Sequence, residues 1–122
     1  MTEQASTRFT LAQAAAAAAR EVPGVFGLHD GALGELATYG QGDRVRGVRI
    51  RSGDRDATQE IEVHLVADLD HLLTSTSGTL FDLGARVGAA VTDAVTEAGG
   101  APSSTKVRIA DLEQRRFSEG DA

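Results

Sequence analysis

The stretch Ala14–Leu28, AAAAAAREVPGVFGL, decides how this chain folds. Its alanines have the highest helix propensity and no side-chain entropy to lose, so they predict a helix that lies close to its packing partner. Pro23 and Gly24 end that helix: proline lacks an amide donor, and glycine takes the left-handed turn that closes helices. Val25–Leu28 then opens a short apolar strand.

N-terminal to this junction, Thr10 and Gln13 have the spacing of a capping box, which predicts the first helix over about 11–21. Residues 1–8 are polar and are expected to be a flexible terminus. On the other side, Gly27, Gly31 and Gly34 punctuate a turn, 33–39 reads as a second strand, and Gly40-Gln41-Gly42-Asp43 as another turn.

Val45, Val48 and Ile50 read as one strand, with Gly47 as a β-bulge that absorbs their odd spacing. Ile61, Val63 and Leu65 alternate with Glu60, Glu62 and His64, the pattern of a half-buried strand. The Ser52–Gln59 loop joins the two as a hairpin. Setting Arg51 opposite Glu60 and Arg49 opposite Glu62 also sets Ile50 opposite Ile61 and Val48 opposite Val63. A slip of one residue loses both the charge pairs and the apolar pairs.

Residues 68–78 read as a polar loop. Thr79, three residues before Asp82, predicts the cap of a second helix carrying the apolar stripe Leu80, Leu83, Val87, Ala90, Val91, Ala94, Val95 and Ala98. Gly84 and Gly88 within it permit close packing or a self-association face. Gly99-Gly100 stops it. Val107 and Ile109 then alternate with Lys106 and Arg108 in a last strand. The expected fold is α+β: a two-layer sandwich, mainly antiparallel sheet with two helices on one face, in the order α-β-(β)-β-β-α-β. It forms a single domain over 9–112, with flexible termini at 1–8 and 113–122.

Composition narrows the function. The 122 residues suit one domain with a core of its own. With no cysteine, disulfides, thiolate metal sites and cysteine nucleophiles are excluded. Eighteen acidic against 12 basic residues give a net charge of −6, which repels a phosphate backbone, and 4% aromatic residues leave few platforms for bases. Nucleic acid is therefore a disfavoured partner. The start, MTEQASTRF, lacks a basic segment followed by an apolar one, and the alanine run is too short for a membrane span. A cytoplasmic protein without a span of its own is expected.

No residue pattern specifies a reaction, a metal or a cofactor. His29, His64 and His71 lack the spacing of a metal site and read as turn or surface histidines. Thr74–Thr79, TSTSGT, reads as a loop and helix cap rather than a phosphate cradle. Gly24–Gly27 and Gly31–Gly34 match Gly-x-x-Gly, the clamp of KH nucleic-acid modules, but read first as turn glycines; the arginine hairpin and a KH-like order of elements keep a small KH-like binding module as the alternative. The candidate interaction surface is the charged hairpin, with Arg44, Arg46, Arg49 and Arg51 against Glu60 and Glu62. The plainer role of those charges is to pair with each other across the strands.

Ala18–Val25, AAREVPGV, resembles the "AAxxVPGV" junction of the alkaline-shock and general-stress family of bacterial envelope stress response proteins. Thr38-Tyr39-Gly40 with Gly47-Val48-Arg49-Ile50, then Ile61–Val66, then Val107-Arg108-Ile109 resemble that family's strands. The similarity spans about 11–112. The long Ser52–Gln59 loop and the Leu72–Gly78 insertion depart from the family pattern. The resemblance implies a non-enzymatic cytosolic protein that forms homo-oligomers. Some members of that family are held at the inner face of the cell membrane by a separate anchor protein, so the resemblance admits a membrane-anchor protein as a partner. It brings no catalytic residues, and Pro23, Gly24 and Val25 enter as structural positions.

Overall fold

The computed structural model describes residues 2–29, 31, 36–40, 42–74 and 79–114. Their elements are α1 (Thr2–Glu21), β1 (Val25–Leu28), β2 (Ala37–Gly40), β3 (Asp43–Arg46), β4 (Val48–Ser52), β5 (Gln59–Asp68), α2 (Leu69–Thr74), α3 (Leu80–Glu97) and β6 (Pro102–Glu113). They build an α+β two-layer sandwich in which α1 and α3 cover one face of a mixed sheet.

β5 is the central strand. β4 pairs antiparallel with its first part in the expected register: Val48↔Val63, Arg49↔Glu62, Ile50↔Ile61 and Arg51↔Glu60. β1 pairs antiparallel with the remainder of the same edge, from Val25↔Ala67 to Leu28↔Leu65. β6 takes the whole opposite edge, parallel to β5 from Gln59↔Pro102 to Asp68↔Glu113. The parallel sense follows from connectivity, since α3 carries the chain back to the start of β5 before β6 begins. There the backbone N–H of Gln59 donates to the Ala101 carbonyl, and the Gln59 side-chain oxygen accepts from the Ala101 N–H at 2.7 Å.

Period decides what is buried. On α1, Leu11, Ala12, Ala15, Ala16 and Ala19 form one sealed face. Their small side chains let α1 lie against α3 and the sheet. On α3, Leu83, Val87, Val91 and Val95 recur every fourth residue and are buried in the same core as Ile61, Val63 and Leu65 of β5, with α1 and β6 beside the helix. Each buried Leu or Val contributes roughly 1.5–3 kcal/mol. Thr79 caps α3 as expected, its hydroxyl accepting the Asp82 N–H at 3.0 Å.

Several elements differ from the sequence reading. α1 begins at Thr2, so Thr10 lies inside it and caps nothing. Val45 and Val48 do not share a bulged strand: the chain changes sheet at Gly47, and β3 pairs with β2 in a separate two-stranded sheet. That small sheet is tied back to the main one by the Thr38 hydroxyl, which donates to the Val48 carbonyl at 2.7 Å. Residues 68–74 form the end of β5 and α2 rather than a loop, because the Asp68 carboxylate accepts the His71 N–H and nucleates a turn. The last strand runs to Glu113. The expected second strand over 33–39 falls outside the described residues as far as 35, as do residues 75–78 of the threonine-rich loop and the tail from 115.

Candidate interaction surface

The outward face of the sheet carries the predicted charged residues. Across β4, β5 and β6 the rows read Arg51, Glu60, Ser104, then Arg49, Glu62, Lys106. Glu62 is the centre of this arrangement. One carboxylate oxygen accepts from His64 Nε2 at 2.8 Å, and the other lies 3.9 Å from the Arg49 guanidinium. The His64 hydrogen bond, chiefly, and the charges of His64, Arg49 and Arg51 hold the Glu62 carboxyl below the ordinary glutamate value, against a smaller opposing effect of burial. A depression of only about 50 Å³ sits among Arg49, Arg51, Glu60, Glu62, Ser104 and Lys106. This face is a lattice of alternating charges, with no deep cleft for a small substrate.

The remaining predicted residues lie elsewhere. Arg44 and Arg46 belong to β3 and line a depression with Gln13 and Arg20 of α1. The arginine run therefore divides between two surfaces at Gly47. Pro23, Gly24 and Val25 are structural. Gly24 has φ +102°, its carbonyl accepts the Asp68 N–H at 2.8 Å, and a Cβ there would lie 3.1 Å from both His71 and Leu83. The junction thus pins the end of α1 to the end of β5 beneath α2.

The histidines do not converge. His29 Nδ1 accepts the Gly31 N–H at 3.1 Å in a turn, and His71 packs over Gly24. Among the described residues, no three His, Asp or Glu side chains stand close enough to hold a metal ion, and no helix is long and apolar enough to cross a membrane.

A second surface includes Gly84 and Gly88, the small residues whose spacing permits a self-association face, but the strand beside them and the exposed Phe81 were not singled out in the sequence. The edge of β6 turned away from β5 has no strand partner among the described residues. Beside it, Leu80, Phe81, Gly84 and Gly88 of α3 and Val107 and Ile109 of β6 line a groove of about 540 Å³. Phe81 is 86% exposed at its mouth. A phenylalanine this exposed, next to a strand edge without a strand partner among the described residues, makes this a candidate docking surface. The available signal was Phe81 itself: it falls one residue off the helical stripe, where solvent is expected.

No family model matches the chain, and no curated protein matches it significantly. Among solved structures, a triple variant of the MamM CTD is similar at 19% identity over 84% of this chain and 93% of that one, with a TM-score of 0.46. That likeness is too loose to carry fold or function from one to the other.

Proposed function

We propose that this chain is a non-enzymatic, cytoplasmic interaction module that self-associates and serves an envelope stress response of the alkaline-shock type, reaching the membrane through an anchor protein. The β6 edge with its apolar groove and exposed Phe81 carries the reading of an interaction module. It offers main-chain hydrogen bonds and buried apolar area together, the two components of strand-addition interfaces. The resemblance of Ala18–Val25 and the later strands to the stress-response family supports the process.

Sedimentation equilibrium from low to high micromolar concentration tests self-association; a single monomeric species throughout defeats it. Co-purification from native cells tests the anchor. Recovery of a small membrane protein is the expected result, and its consistent absence removes that part of the reading.

The KH-like alternative draws on Arg49, Arg51, Lys106 and Arg108, which share the outward face. Glu60 and Glu62 lie among them and the chain carries −6 overall, so the field presented to a phosphate backbone is largely cancelled. RNA binding that weakens with salt and is lost in Arg49→Glu would replace the interaction reading with this one.

A further inference from the structure

From His64 onward, the charges of β6 are poorly matched by β5. Arg108 stands beside His64, Asp111 beside Val66, and Glu113 beside Asp68, a like charge. The strand is divided by sign: Lys106 and Arg108 precede the register shift that leaves Ala110 as an extra residue, and Asp111 and Glu113 follow it. That extra residue has a consequence for the faces. Arg108 and Asp111, three apart in sequence, both align with the outward series His64 and Val66 of β5, whereas Val107 and Leu112 align with buried Val63 and Ala67.

An antiparallel copy of β6, related by a two-fold axis between Ile109 and Ala110, meets this pattern with its own complement. Arg108 falls opposite Asp111 of the copy, and Lys106 opposite Glu113. Val107 falls opposite Leu112 on the apolar side. Every charge in the overlap finds the opposite sign on the same face, and each pair occurs twice. The axis also brings the α3 groove of one copy beside that of the other, with Phe81 at the seam.

We infer that the occupant of the β6 edge is a second copy of this chain, joined through antiparallel β6–β6 pairing with Arg108 opposite Asp111 and Lys106 opposite Glu113. This rests on the reading of the chain as self-associating and names the surface and register that reading lacks.

Charge reversal tests it. Arg108→Glu sets two acids opposite each other, and Asp111→Arg sets two bases. Either variant alone raises the dimer Kd by about tenfold or more, read by sedimentation equilibrium. Mixing the two variants restores dimers, because Glu from one chain meets Arg of the other and the remaining Asp111–Arg108 pair is intact. Both side chains are exposed, so circular dichroism and melting of the monomer stay as in the wild type. Concentration-dependent protection of β6 amides from hydrogen exchange is the second expected result. A wild type that is monomeric at high micromolar concentration defeats the self-association reading itself. A wild-type dimer whose Kd is unmoved by either reversal leaves that reading standing and overturns the β6 register. Weakening in both variants without recovery on mixing overturns the two-fold pairing in favour of a different partner surface.

Discussion

The two edges of β5 are treated differently. Along one, β1 and β4 lie end to end and meet at His64, whose carbonyl accepts the His29 N–H and whose N–H donates to the Gly47 carbonyl, both at 2.9 Å. Gly47 closes that seam with φ +81°, and a Cβ there would stand 2.8 Å from Leu28 Cβ and 3.2 Å from the backbone of His29 and His64. Along the other edge β6 runs alone for 12 residues, with one side on β5 and the other unpaired among the described residues. At the seam a Cβ on Gly47 has no room, whereas the outer side of β6 has no strand against it among the described residues. Stability is expected to concentrate at the sealed seam, and the proposed self-association uses the open edge.

Substitutions sort along that division. Gly47→Ala has the largest expected effect, about 2–5 kcal/mol, since it forces a left-handed residue and a Cβ against immovable backbone. Urea unfolding measures it, and a loss below about 1 kcal/mol would show that the seam yields. Gly24→Ala comes next at about 1–3 kcal/mol, because the His71 and Leu83 tips that it meets can shift. If it costs more than Gly47→Ala, the α1–β1 junction and not the β1–β4 seam is the tighter point.

On the open side, Phe81→Ser changes monomer unfolding by no more than about 0.5 kcal/mol while weakening self-association. A large loss of monomer stability would mean that Phe81 belongs to the fold.

The smallest effect lies on the outward face. The Glu62 carboxyl is held below its ordinary value, so its contribution is present at neutral pH and is lost as pH falls from the ordinary glutamate value through the folded one. Glu62→Gln removes it, at a cost under about 1 kcal/mol at pH 7 for so accessible a pair. The stability gap between wild type and variant should close on acidification; a gap that widens below pH 4 contradicts the assigned hydrogen bond.

Local rules were enough for part of this molecule. The β4–β5 register was legible because a period of two put apolar and charged partners on opposite faces, and one slip spoiled both. The α3 stripe and its Thr79 cap were legible because helix spacing and capping are properties of a few consecutive residues. Arg49, Arg51, Glu60 and Glu62 came together for the same reason. Arg44 and Arg46 did not join them, because a glycine after β3 is equally compatible with a bulge and with a change of sheet.

The start of α1 and the short α2 were not legible in the chain alone, whereas the alternating strands, the helical faces of α1 and α3, the Thr79 cap and the glycine stops were. These follow from backbone geometry within a few residues. Only the tertiary structure decided that Gly47 ends one sheet and begins another, since the decision depends on Leu28, His29 and His64 crowding it from far along the chain. The same holds for β6. Its alternation marks it as a strand, but the parallel alignment, the shift that brings Arg108 and Asp111 to one face, and the edge left open are consequences of long-range pairing, which no local pattern encodes.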